Sequence, residues 1–145
     1  MTCDFGVRSP GVIKKIALAL TMTLAAAVPV AGSASAADSP VREIRGQGLD
    51  ACPEQSLCLY QDTNFNAGGD ARIWILTDDV PKLSKYDAND RASSVYVHFR
   101  GRHSVVLWTD TWYSGLSWNM VSNGEEHGKY SDLDDYNDEV SSVVV

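Results

Sequence analysis

Basic side chains are scarce in this sequence. Its 145 residues hold 12 Lys and Arg against 19 Asp and Glu, a formal net charge of −7 at pH 7. Binding a nucleic-acid backbone takes clustered Lys and Arg. No run of them occurs, so nucleic acid is excluded as a partner. Cysteine is scarcer still, with Cys3, Cys52 and Cys58. Two Cys in a short span with no neighbouring His do not supply the four ligands of a structural zinc. The three histidines, His98, His103 and His127, lack metalloprotease spacing, and no Ser sits in a nucleophile-elbow context. The sequence does not read as an enzyme. It also lacks any long amphipathic helical period, which argues against a helical bundle.

The one long apolar run is at the start. Lys14 and Lys15 precede Ile16 to Val30, a run of Ala, Leu, Met and Val, and Ala34-Ser35-Ala36 follows. A positive flank, a short apolar run and a small-residue site make a secretory signal peptide. The run is shorter than the roughly 20 residues that span a bilayer. Residues 1–36 are therefore expected to be cleaved, leaving a secreted chain with no membrane insertion. They carry Asp4, Arg8, Lys14 and Lys15, so the remainder has 18 acidic and 9 basic side chains, a net −9. Cys3 is lost with them. Cys52 and Cys58 then form an even pair in an exported protein, and a disulfide is expected between them.

Residues 37–51 are charged and Gly-containing with no sustained period, and they read as a flexible leader to a domain spanning 52–145. From Leu57 the pattern is β. Leu57 to Tyr60, Arg72 to Leu76 and Val95 to Phe99 are short runs rich in β-branched and aromatic residues. Val105 to Trp108, Leu116 to Met120 and Val143 to Val145 follow the same plan. Ser122 to Tyr136 reads as a long polar loop with one short helical turn. Many short strands with Gly-rich turns predict an all-β fold, a two-sheet β-sandwich.

The chain is also duplicated, at an offset of 48 residues. Tyr60 matches Trp108, Asp62 matches Asp110, and Phe65 matches Tyr113. Asn89-Asp90-Arg91-Ala92-Ser93-Ser94 matches Asn137-Asp138-Glu139-Val140-Ser141-Ser142. A repeat of this size is a supersecondary unit that cannot bury its apolar face alone. Two copies, residues 52–100 and 101–145, can bury their faces against each other.

These residues resemble the βγ-crystallin superfamily. Each repeat has that superfamily's aromatic hairpin: an aromatic, four residues, a second aromatic, one residue and Gly. The second repeat matches fully through Trp108, Tyr113 and Gly115. The first has Tyr60 and Phe65, but Ala67 stands in the Gly position and Gly68 comes next, which predicts a hairpin shifted by one residue. The resemblance implies two Greek-key motifs and, through each Asn-Asp-x-x-Ser-Ser segment, calcium as ligand. Cys52 to Tyr60 also looks like the opening of secreted actinobacterial proteins grouped with a metalloproteinase-inhibitor family of the same fold. The inhibitor that names that family has a second disulfide near its reactive segment, and this chain has no Cys for one.

Calcium takes about six to eight oxygen ligands. Asn89, Asp90 and Ser93 offer amide, carboxylate and hydroxyl oxygens, as do Asn137, Asp138 and Ser141, with the backbone carbonyls of Arg91 and Glu139 between them. The resemblance further implies that each segment meets the other repeat's hairpin, bringing Asp62 to the second segment and Asp110 to the first. Ser94 and Ser142 read as loop-bonding residues. Arg91 and Glu139 put opposite charges into the two segments, so the Glu139 site is expected to be the tighter. A single copy of the segment would be read as turn-capping alone; two copies with an acidic second position favour a metal. The expected function is a secreted domain that calcium stabilises. The alternative is a secreted peptidase inhibitor presenting residues 122–129 to a protease, and a toxin-like or cell-surface-binding domain is a third reading. Of the four tryptophans, only Trp112 is expected to be exposed.

Overall fold

A computed structural model describes residues 39–123 and 128–145. The signal-peptide reading of residues 1–36 lies outside the described residues. Among the described residues, eight strands form two antiparallel sheets. In chain order they are β1 (Val41–Gly46), β2 (Ser56–Tyr60), β3 (Ala71–Leu76), β4 (Ser94–His98), β5 (Arg102–Asp110), β6 (Ser114–Asn123), β7 (Gly128–Tyr130) and β8 (Ser142–Val144). One sheet runs β1-β3-β2-β4-β7 and the other β6-β5-β8. Among the described residues, no helix is long and apolar enough to cross a membrane.

The halves exchange strands. β7 from the second repeat pairs with β4 of the first, Val95 opposite Tyr130. In return Val80 of the first repeat makes a bridge with Val143 in β8. This exchange is the Greek-key crossover, and it closes one core. Leu57, Leu59, Trp74, Leu76, Val95 and Val97 meet Val105, Leu107, Met120, Leu133 and Val143 between the sheets, all fully buried. The alternation along each strand decides the face. In β5, Val105 and Leu107 point inward while Val106 and Trp108 remain half-buried.

Two elements depart from expectation. The segment read as a flexible leader contains β1, paired along its whole length with β3 from Val41↔Leu76 to Gly46↔Ala71. Its sequence Val-Arg-Glu-Ile-Arg-Gly conceals this, because an edge strand buries little and keeps its charges in water. Arg72 on β3 pairs with Glu43 on β1 at 3.3 Å. The long polar loop likewise contains the end of β6 and all of β7, with a short helical turn at Asp134–Tyr136.

A second apolar cluster lies on the outer face of the five-stranded sheet. Cys52, Cys58, Tyr60, Ile73, Ile75 and Tyr96 are buried there under Ile44, Leu49, Ala51 and Phe65. Cys52 and Cys58 are bonded to each other. The Tyr60 hydroxyl donates to the Gly48 carbonyl (3.1 Å). Burial pushes the Tyr60 phenol well above its ordinary pKa, with Tyr96 and Asp50 adding to the shift.

Candidate functional site

The duplicated segments owe their shape to the hairpins beside them. Asn64 and Phe65 in the first hairpin, and Trp112 and Tyr113 in the second, have left-handed backbone with φ of 51°, 57°, 63° and 59°. Aromatic residues adopt this region only at a cost. The two inner serines hold them there. Ser94 Oγ accepts from Phe65 N–H (3.0 Å) and donates to the Asp62 carbonyl (2.7 Å). Ser142 Oγ accepts from Tyr113 N–H (3.0 Å) and donates to the Asp110 carbonyl (2.6 Å). Both serines are fully buried. They bond the loop, as read from the sequence.

The hairpins differ at one point. Gly115 has φ of 81°, whereas Ala67 in the matching place is right-handed with φ of −60°. The left-handed residue moves back to Asn66, with φ of 59°, and not forward to Gly68. Asn66 is buried and tied down. It accepts from Asp62 N–H (2.8 Å) and donates to the carbonyls of Gly46 (3.1 Å) and Arg72 (3.0 Å). Asn tolerates this backbone better than most residues, so Asn66 does the work that Gly115 does in the second half.

The two Asn-Asp-x-x-Ser-Ser segments pack against each other with matching bonds. Asp90 N–H donates to the Val140 carbonyl (3.1 Å), and Asp138 N–H to the Ala92 carbonyl (3.0 Å). Ser93 N–H donates to Tyr60 (2.9 Å), and Ser141 N–H to Trp108 (2.8 Å). Asp90 and Asp138 are left-handed, with φ of 53° and 55°. The amides of Asn89 and Asn137 donate to the carboxylates of Asp90 and Asp138. Each Asn thus orients its neighbour's carboxylate, a role its position before Asp could have suggested.

The serines cross between the halves. Ser141 Oγ donates to Asp90 Oδ1 at 3.2 Å, joining the second segment's hydroxyl to the first segment's carboxylate. A polar hollow of about 290 Å³ is lined by Gln61, Asp62, Asp90, Arg91, Ser93 and Asp138. Asp62 therefore lies with Asp138, and so does Ser93. Asp110 does not line this hollow. Its carbonyl is held by Ser142 of its own repeat. Arg91 lines the hollow, and its guanidinium pairs with Asp87 (3.3 Å). Glu139 is exposed, with its N–H donating to the Tyr136 carbonyl (3.2 Å).

This donor set suits a hard cation bound through mixed oxygens. Oxygens side by side in a calcium shell of roughly 2.3–2.6 Å radius lie about 3 Å apart, close to the Asp90–Ser141 separation. Among the described residues no three Asp, Glu, His or Cys side chains converge. Asp62, Asp90 and Asp138 line the hollow without converging, so a shell here would draw on hydroxyl, amide or carbonyl oxygens as well. That is calcium chemistry more than transition-metal chemistry.

The two described histidines, His98 and His103, pack within the fold. His98 Nδ1 hydrogen-bonds the Cys52 carbonyl (2.9 Å) and its ring stacks on Tyr96 at 4.6 Å. His103 stacks on Phe99 at 4.0 Å. His127 and the centre of the presenter loop 122–129 lie outside the described residues. Trp74 is fully buried, Trp118 packs against Tyr136 at 5.2 Å, and Trp112 is exposed, as expected.

A family model described as peptidase inhibitor family I36 matches residues 47–122. The chain belongs to that family. It is a family of peptidase inhibitors and not of enzymes. No curated protein gives a significant match. The fold is that of the βγ-crystallins. A solved structure from work on the evolution of the eye-lens βγ-crystallin domain fold is 23% identical, covers 71% of this chain and 95% of its own, and superposes with a TM-score of 0.55. A βγ-crystallin from Ciona intestinalis is 27% identical over 61% of this chain and 96% of its own, with a TM-score of 0.48. One from an archaeon is 22% identical over 63% and 98%, with a TM-score of 0.46.

Proposed function

We propose that this I36-family domain is exported and binds two calcium ions at the seam between its repeats, where the ions clamp one half to the other. The observation that carries the reading is the 3.2 Å approach of Ser141 Oγ to Asp90 Oδ1 across the seam. One ion takes Asp90 with Ser141; the other takes Asp138 with Ser93 and oxygens around Asp62. Asn89 and Asn137 orient the two carboxylates, and the backbone carbonyls of Arg91 and Glu139 are further donors. An unfolded chain cannot gather oxygens from both repeats, so the ion favours the native state.

Pairs of substitutions test the crosswise pairing by calorimetric calcium titration. Asp90→Ala with Ser141→Ala should lose one site and keep the other. Asp90→Ala with Ser93→Ala should lose both. If the first pair abolishes all binding and the second leaves one site intact, each site is local to its own segment and the seam model fails.

A second reading is favoured by the family match: the calcium-bound domain inhibits a secreted peptidase. A panel of metallo- and serine peptidases tests it, with and without chelator. Stoichiometric inhibition of one of them supports it. No inhibition across the panel would leave the calcium-stabilised scaffold without an inhibitory role.

A further inference from the structure

Trp112 breaks two local rules at once. Its backbone is left-handed, with φ of 63°, and its side chain is 66% exposed. A bulky residue with positive φ is an outlier, and a large exposed indole is an unusual use of apolar surface. The duplication shows that the fold does not require it. The matching residue in the first repeat is Asn64, also left-handed, with φ of 51°. The two make equivalent tertiary bonds: Asn64 N–H donates to the Ser131 carbonyl and Trp112 N–H to the Pro81 carbonyl, both at 2.7 Å. Asn does this structural work at lower cost. A residue that violates local preference with no structural gain marks a functional position.

The surroundings define a partner. Trp112 and Leu116, 67% exposed, are the exposed large hydrophobics among the described residues, and both belong to the β5–β6 hairpin. The bond to Pro81 ties the hairpin tip to the loop carrying Asp78 and Asp79. Tyr113, next to Trp112, has its phenol pKa raised by burial first and then by the charges of Asp79 and Asp78. Asp78 and Asp79 are exposed and form no ion pair among the described residues. An exposed indole and a phenol beside carboxylates recognise an organic cation, the ring faces through cation–π attraction and the carboxylates through charge. Trp is also the residue type that most often anchors protein interfaces.

We propose that the tip of the β5–β6 hairpin, Trp112 and Tyr113 with Leu116 and the Asp78-Asp79 loop, is a docking surface for an exposed segment of a partner protein that carries arginine or lysine beside an apolar side chain. The net negative charge of the chain steers such a segment toward it. The surface adjoins the second Asn-Asp-x-x-Ser-Ser segment, whose Ser142 Oγ accepts from Tyr113 N–H, but it uses none of the oxygens assigned to the ions, and the proposal does not depend on the calcium reading.

The probe is an acetylated, amidated peptide with Leu between two Arg, compared with the same peptide carrying citrulline at both Arg positions. Binding is followed on the full domain by the Trp112 indole N–H resonance and by calorimetry. The Arg peptide should shift that resonance saturably at up to millimolar concentration. The citrulline peptide should bind at least about tenfold more weakly, an effect of charge at an aromatic–acidic site. Trp112→Asn, which copies the first repeat, should also lose about tenfold or more in affinity. So should Asp78→Asn with Asp79→Asn. Trp112→Asn should melt no lower than the parent, which separates a docking residue from a structural one. Four results would overturn the proposal: no saturable shift, equal binding of the citrulline peptide, a clear loss of stability in Trp112→Asn, or burial of Trp112 by self-association or by neutral lipid vesicles.

Discussion

Replacing Gly115 with Ala tests whether the left-handed hairpin residue is what makes the second repeat fold. Gly115 sits at φ of 81°, and a Cβ built on it would lie 2.4 Å from Thr109 Oγ1 and 2.7 Å from Asp110 Oδ2. The threonine cannot simply swing away, because its Oγ1 accepts a hydrogen bond from Leu116 N–H (3.0 Å). Left-handed backbone costs an L-residue roughly 1–2 kcal/mol. Relieving the clash adds roughly 1–3 kcal/mol. The expected loss is about 2–5 kcal/mol, a large share of the roughly 5–15 kcal/mol that holds a domain together. For a domain of this size that lowers the melting temperature by roughly 10 °C or more. The control is Ala67→Gly, at the matching place with φ of −60°, where the cost is at most about 1 kcal/mol. Thermal and urea melts by near-ultraviolet circular dichroism measure both. Equal losses for the two variants would refute the argument, because it assigns the Gly requirement to one hairpin only.

Two further outcomes follow from the same geometry. Ser94→Ala and Ser142→Ala each strand a buried N–H and a buried carbonyl, so each should cost about 2–4 kcal/mol in a denaturant melt; substitution by Thr at either site should recover part of the loss if the hydroxyl is what matters. Opening the Cys52–Cys58 bond, by paired Ser substitutions, should cost about 2 kcal/mol on the chain-entropy model and raise amide exchange first in residues 46–52, which pack beside it over the outer sheet face.

Much of this was legible in the sequence because the duplication supplies its own control. A feature that appears in both halves, such as the aromatic hairpin or the inner Ser of each segment, is tied to the shared fold. The sandwich followed from short β runs, and the disulfide from an even pair of Cys. What escaped was whatever depends on partners distant in sequence. β1 reads as a polar leader because only its pairing with β3 makes it a strand, and β7 hides in a polar loop because it is completed by β4 of the other half. Asn66 was missed because its backbone conformation and its three buried hydrogen bonds are visible only once Gly46 and Arg72 are brought beside it. At the seam, spacing picked out the oxygen-bearing residues of each segment, and the resemblance joined each segment to the other repeat's hairpin. Sequence order cannot show that Ser141 faces Asp90, since that contact exists only after the two repeats dock.

The measurement that tests the central claim most directly is the melting temperature of the mature domain in calcium and in chelator, for the parent and for Asp90→Ala with Asp138→Ala. At a hundredfold excess over its dissociation constant, one bound ion adds about 2.7 kcal/mol, so the parent should melt several degrees higher in calcium than in chelator. The doubly substituted protein should melt at one temperature in both. A parent that shows no calcium-dependent shift and no heat of binding at millimolar calcium would contradict the account, and the paired segments would then be turn structure alone.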